Sequence, residues 1–263
     1  MLSMEYLLEE AKDLGLPENK KRAIVREYLQ NMMLASIYRS REGRKLYFMG
    51  GTALRFCYRL PRFSEDLDFN ARRLTYKSFG GIAETAVKAA DLEGIRAQTR
   101  CERKNDLFTA YIDFPDVMRL YGIADQRGLG LMVKLEVNQP NWPLDTTTHA
   151  LSYYGYSYAA TVMSDPALIT DKLCAMLERS RGRDIYDLLF LLKKRFPFDQ
   201  RVLKARKHSQ KKPEELIRTH LNNLGTKELK RLAAQIRPFL FKEEDAILVE
   251  KAPEYAERYL EQR

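Results

Sequence analysis

Between Glu18 and Arg39 the apolar residues Ile24, Tyr28, Met32 and Ala35 recur at helical spacing, and Pro17 stands where such a helix can begin. With Ser3–Leu14, which has the same period, they predict an N-terminal helical arm. Leu46–Met49 is a short apolar run ending in Gly50-Gly51, and Thr52–Leu60 then reads as a helix closed by Pro61, giving strand, glycine turn, helix. Asp66–Asn70 alternates acidic and apolar residues, as a half-buried strand does. A helix follows around Ile82–Leu92. Ile95–Glu102, Leu107–Phe114 and Leu131–Asn138 read as strands, the last with a period of two through Met132, Lys134, Glu136 and Asn138. After a loop containing Asn141-Trp142-Pro143, Ser164 caps a helix with Pro166 in its first turn that runs to Ser180. Asp184–Lys194 and much of 213–263 are again helical, with Lys204–Lys212 a basic loop. The pattern predicts an α+β protein: a helical arm over 1–41, a mixed core over 42–162 and a helical bundle over 163–263.

Composition narrows the class. A chain of 263 residues, 45% hydrophobic and 31% charged, has the make-up of a globular protein, which excludes collagen-like, small disulfide-scaffold and largely disordered chains. The longest apolar stretches, such as Leu188–Leu192, fall far short of the roughly 18 residues that cross a bilayer. Met1–Asp13 carries Glu5, Glu9 and Glu10 where a secretory leader would be basic and then apolar, so the expected location is the cytoplasm, away from membranes. Cys57, Cys101 and Cys174 are far apart and form no CxxC pair, as expected of buried thiols in a reducing compartment.

The net charge of +9 is not spread evenly: residues 146–212 carry 13 basic and 6 acidic groups. A block of this kind suits a polyanion such as RNA, whose phosphates release counterions as Lys and Arg approach. A solvated helical face would carry the same charge.

The sharpest chemical feature is Gly50-Gly51-Thr52 followed by Ser64-Glu65-Asp66-Leu67-Asp68. In a chain with 15 aspartates chance alone supplies about one D-x-D, so the pattern gains meaning only from context. Here the glycine pair ends a strand and opens a helix, where unpaired backbone N–H groups and the helix dipole favour phosphate. On a strand, Asp66 and Asp68 point the same way and offer two carboxylates to Mg²⁺ or Mn²⁺. Glu136 is the candidate third carboxylate, and Lys134 would face the same side. The competing reading is an exposed acidic strand face.

A second constellation is Asp171-Lys172 with Arg183-Asp184-Ile185-Tyr186-Asp187. Lys172 and Arg179 share a helix face and Asp184 and Asp187 lie one turn apart, so the lysine could neutralise triphosphate charge while the carboxylates orient it. Salt-bridged surface helices are the alternative.

Phe48-Met49-Gly50-Gly51-Thr52-Ala53-Leu54, Arg62-Phe63-Ser64-Glu65-Asp66-Leu67-Asp68-Phe69, Asp171-Lys172-Leu173 and Arg183-Asp184-Ile185-Tyr186-Asp187-Leu188, in that order, resemble the nucleotidyltransferase AbiEii/AbiGii toxin family, which includes the MenT toxins. The resemblance spans roughly 20–195. It implies a polymerase-β-like core with a mixed sheet, NTP as substrate, a role in toxin–antitoxin and phage-defence systems, and an antitoxin encoded nearby. It also implies nucleotide addition to the 3′ acceptor end of tRNA, which blocks aminoacylation and translation. Gly50, Gly51 and Thr52 match the phosphate-binding turn; Ser64, Asp66 and Asp68 match the metal motif; Lys172 matches the nucleotide-contacting lysine and Asp184 the later essential acid. Arg179 and Arg183 join Lys172 as expected counter-charges. A protein side chain or small molecule as acceptor, and a non-catalytic RNA-binding module on the same fold, are the competing readings.

Overall fold

The structure, a computed structural model, describes residues 1–124 and 129–263. They divide into two compact units, neither continuous in sequence: Met1–Tyr58, Phe63–Pro140 and Thr146–Val162 form one, and Arg59–Arg62, Asn141–Asp145 and Met163–Arg263 the other.

The first unit runs α1 (Met4–Asp13), α2 (Lys21–Arg39), β1 (Leu46–Met49), α3 (Gly50–Tyr58), β2 (Leu67–Ala71), α4 (Tyr76–Leu92), β3 (Gln98–Lys104), β4 (Leu107–Phe114), α5 (Val117–Leu120), β5 (Leu131–Asn138), β6 (Thr146–Tyr153) and β7 (Tyr156–Met163). Its seven strands make one mixed sheet in the order β3-β4-β5-β2-β1-β7-β6. β2 runs antiparallel to β1 and parallel to β5, while β1 meets β7 in parallel at Phe48 and Val162. Phe48 and Phe69 on adjacent strands are buried with ring centroids 5.3 Å apart, each side chain worth roughly 1.5–3 kcal/mol of burial.

β1, β4 and β5 occupy the residues the sequence pattern predicts, β1 from its apolar run and β5 from its period of two. Elsewhere the bounds move for local reasons. α3 starts at Gly50, so the glycine pair is the helix's own first turn rather than a loop before it. β2 starts at Leu67, leaving Asp66 just ahead of the strand. α4 starts at Tyr76 because the Thr75 hydroxyl caps it by accepting from the Ser78 N–H, a signal upstream of the apolar period. The β6–β7 hairpin is absent from the sequence reading. Its turn residues Tyr154 and Gly155 have φ of +50° and +76°, the left-handed pair that matches right-twisted strands.

Two buried polar groups fix this unit. Asn31 of α2 donates to the Tyr153 carbonyl and accepts from the Tyr158 hydroxyl at 2.8 Å, pinning the hairpin to the helix. The Arg55 guanidinium of α3 meets the Glu27 carboxylate of α2 through two bonds of 3.1 and 3.0 Å, which sets how α3 lies and hence where its first turn points.

The second unit is helical, as its pattern predicts: α6 (Asp165–Arg179), α7 (Gly182–Lys193), α8 (Gln200–Ala205), α9 (Pro213–Asn223), α10 (Thr226–Ile236), α11 (Ile247–Glu250) and α12 (Ala252–Glu261). α6 ends at Ser180, which takes the left-handed conformation at φ +42°. α7 and α10 approach so closely at Gly182 that a β-carbon there would lie 2.1 Å from the Leu232 carbonyl oxygen. Among the described residues no helix is long and apolar enough to cross a membrane.

Candidate active site

Four consecutive features of the chain converge at the end of β1. Met49 is in register with Asp68 on the neighbouring strand, and the next residue, Gly50, turns into α3 with φ +74°. A β-carbon at position 50 would stand 2.2 Å from the Asp68 Oδ2, so the chain can pass this carboxylate only as glycine. Gly51 follows, buried, in the first turn, where the helix leaves backbone N–H groups without internal partners. Thr52, expected on phosphate, is fully buried, and its hydroxyl donates to the backbone carbonyl of Asp66. This bond ties the acidic segment to the glycine turn.

The carboxylates gather beside this turn. Asp68 of β2 pairs in register with Glu136 of β5. The Lys134 ammonium, two residues from Glu136 on the same face, lies 3.0 Å from the Glu136 Oε2 and 3.6 Å from the Asp66 Oδ2. Partial burial would lower the Lys134 pKa, but its bond to Glu136 and the charges of Asp66, Glu136 and Asp68 carry it above the ordinary lysine value. Ser64 precedes them, half-buried, its carbonyl accepting from Gln30 Nε2 at 3.0 Å.

Among the described residues no three His, Cys, Asp or Glu side chains converge as a metal cage. Of the expected trio Asp66, Asp68 and Glu136, the Glu136 carboxylate is paired with the Lys134 ammonium at 3.0 Å. Magnesium, however, is usually held by one or two carboxylates with substrate phosphates and water completing the shell. Asp66 and Asp68 are carboxylates of the kind such a donor set uses, and the Lys134 ammonium lies within ion-pair distance of Asp66.

In the helical unit, Lys172, Arg179 and Asp184 are brought together with two further residues. The Lys172 ammonium lies 2.8 Å from Asp187 and 3.9 Å from Asp184. Arg62 donates to Asp187 from Nε and Nη2 at 2.7 and 2.6 Å, and Arg179 likewise grips Asp184 at 2.8 and 2.9 Å. Both aspartates are completely buried, whereas the Lys172 side chain keeps 8% exposure and Arg179 keeps 46%. Arg183 is half-buried. Lys172 is thus engaged by both carboxylates. Burial would lower the Arg62 pKa, but Asp187 outweighs it and holds the guanidinium above its ordinary value. Arg62 stands in the sequence motif, but its pairing with Asp187 escaped the sequence reading because the partner lies 125 residues away and no local spacing announces it.

The model of the nucleotidyl transferase AbiEii toxin, type IV toxin–antitoxin system, matches residues 32–259. Among solved structures the chain is similar to JHP933 from Helicobacter pylori, at 16% identity over 92% of this chain and 93% of that one, with a TM-score of 0.56. It is also similar to MenT4, a nucleotidyltransferase toxin from Mycobacterium tuberculosis H37Rv, at 15% identity over 98% and 93% of the two chains, again with a TM-score of 0.56. At this identity the likeness is one of fold. No curated protein matches the chain. The family match extends to 259, so it takes in the C-terminal helices that the motif resemblance left unassigned. The chain belongs to the AbiEii nucleotidyltransferase toxin family of type IV toxin–antitoxin systems.

Proposed function

We propose that the chain is a cytoplasmic, Mg²⁺-dependent toxin that moves an NMP group from an NTP to the 3′ acceptor end of tRNA, blocking aminoacylation and so translation, and that an antitoxin encoded nearby opposes it. The observation that carries the reading is the approach of the Gly50 backbone to the Asp68 carboxylate, since a helix start, which favours phosphate, then lies against an acid that can hold a metal.

In this reading Gly50 and Gly51 hold the triphosphate through backbone N–H groups, and Thr52 keeps Asp66 in place. Asp66 and Asp68 hold the divalent ion, with Mn²⁺ an acceptable substitute. When bound, the ion polarises the α-phosphoryl group and lowers the pKa of the attacking hydroxyl. Glu136 accepts the proton of the RNA 3′ hydroxyl on a carboxylate oxygen as the 3′ oxygen itself bonds to the α-phosphorus. The bond from the α-phosphorus to the bridging oxygen breaks, and pyrophosphate leaves. Lys134 offsets the negative charge that gathers among the carboxylates. The excess of 13 basic over 6 acidic groups in 146–212 favours RNA over a protein or small-molecule acceptor.

The test is incubation of purified protein with bulk tRNA, Mg²⁺ and each labelled NTP in turn, beside Asp66→Ala. Label on tRNA with the wild type alone supports the reading, and loss of aminoacylation of that tRNA completes it. Label on protein would remove the tRNA acceptor, and no label from folded protein would sink the reading.

A further inference from the structure

Asp66 also borders a second feature. A cleft of ≈ 480 Å³ opens beside it, lined by Arg22 and Arg26 of α2, by Gln98 and Asp113 of β3 and β4, and by Phe114. Its volume lies in the range that takes one nucleotide. Gly50, Gly51 and Asp68 do not line it.

The two arginines stand one helical turn apart. Arg22 is exposed, and Arg26 is half-buried with Nη1 donating to Glu65 at 2.6 Å. The Arg26 Nε is buried and has no acceptor among the described residues, an arrangement that native structures tolerate only with a reason. Burial lowers the Arg26 pKa, and Arg22 pushes it the same way against the pull of Glu65. An anion set between the two arginines would relieve both the missing acceptor and the like-charge repulsion. On the opposite wall, Gln98 and Asp113 are cross-strand partners, which places an amide and a carboxylate together. A carboxylate accepts from a ribose hydroxyl or an exocyclic amine, groups that a ribonucleotide carries and a bare phosphate lacks.

In-line transfer needs the attacking hydroxyl and the leaving pyrophosphate on opposite sides of the α-phosphorus, so the acceptor needs a subsite of its own beside the carboxylates. We infer that this cleft is the acceptor subsite: Arg22 and Arg26 grip the phosphodiester of the terminal ribonucleotide of an RNA strand, while Gln98 and Asp113 meet its sugar or base. The inference rests on the reading above, in which the glycine turn is taken by the triphosphate.

Anisotropy of a fluorescent single-stranded RNA with a free 3′ hydroxyl, titrated without NTP at several salt concentrations, tests it on the full chain. Arg22→Ala is the principal variant, since Arg22 is exposed and its loss leaves the partly buried Arg26–Glu65 contact intact. The expected result is RNA affinity lower by about tenfold and a log–log salt slope shallower by about 1. Arg26→Lys, which keeps the charge and removes Nε, should also weaken the RNA with an unchanged melting temperature. Affinity for a non-hydrolysable NTP analogue, measured alone, should stay at the wild-type value in both. Weaker analogue binding with RNA spared would assign the arginines to the triphosphate and overturn the inference, as would no change in either ligand. Because the readout is binding, failure to label RNA would sink the proposed reaction without deciding this experiment.

Discussion

The backbone of Gly50 lies against the carboxylate of Asp68 with no room for a side chain, a β-carbon there falling 2.2 Å from Oδ2. Gly50→Ala must shift Asp68 and also hold alanine at φ +74°, which costs about 1–2 kcal/mol in conformational strain alone. NTP-dependent labelling should fall to background while the variant remains folded. Circular dichroism and a guanidinium titration, run beside the labelling assay, check both halves.

Thr52→Val removes a fully buried hydroxyl and leaves the Asp66 carbonyl without that donor, a loss of about 1–3 kcal/mol. Thr52 acts through Asp66, so kcat should drop while KM for NTP changes little, and Thr52→Ser should restore much of the rate. An equal loss in the serine variant would show that the methyl group, not the hydroxyl, matters.

Asp187→Asn leaves Arg62 and Lys172 in the helical unit with one carboxylate fewer, and unfolding should become easier by about 3–5 kcal/mol. Burial pushes the Asp187 pKa up, but Arg62 and then Lys172 outweigh it and hold the carboxyl below its ordinary 3.8. A folded pKa below the unfolded one gives stability that is complete above about pH 4 and lost as the pH falls through the folded value. Wild-type denaturation midpoints should therefore decline below that pH more steeply than those of Asp187→Asn.

Lys134→Met takes the ammonium from among Asp66, Asp68 and Glu136 and leaves their negative charges facing one another. The variant should melt lower than wild type without divalent ions and gain more from added Mg²⁺. Thermal shifts across a Mg²⁺ titration read this directly, and equal gains in the two proteins would count against Lys134 as the local counter-charge.

What the chain discloses depends on the range of the interaction responsible. Leu131–Asn138 announces β5 because a strand with one buried face writes its period into adjacent residues. Gly50-Gly51 and Asp66-x-Asp68 stand out for the same reason, since each is a local pattern with a chemical use. The β6–β7 hairpin was legible in principle from Tyr154-Gly155 between two alternating runs, but tyrosine is an unusual residue for a left-handed turn position and hid it. The burial of Thr52 and the grip of Arg62 on Asp187 are set by segments distant in sequence, and no spacing rule reports them.

Arg62 and Asp187 also order events in time. As the polypeptide leaves the ribosome, Arg62 emerges 125 residues before the carboxylate that neutralises it. Through that interval the guanidinium must stay hydrated, because burying it alone would be prohibitive. The helical unit can therefore close around this pair only late in synthesis, and a chain that stops short of residue 187 is barred from completing it.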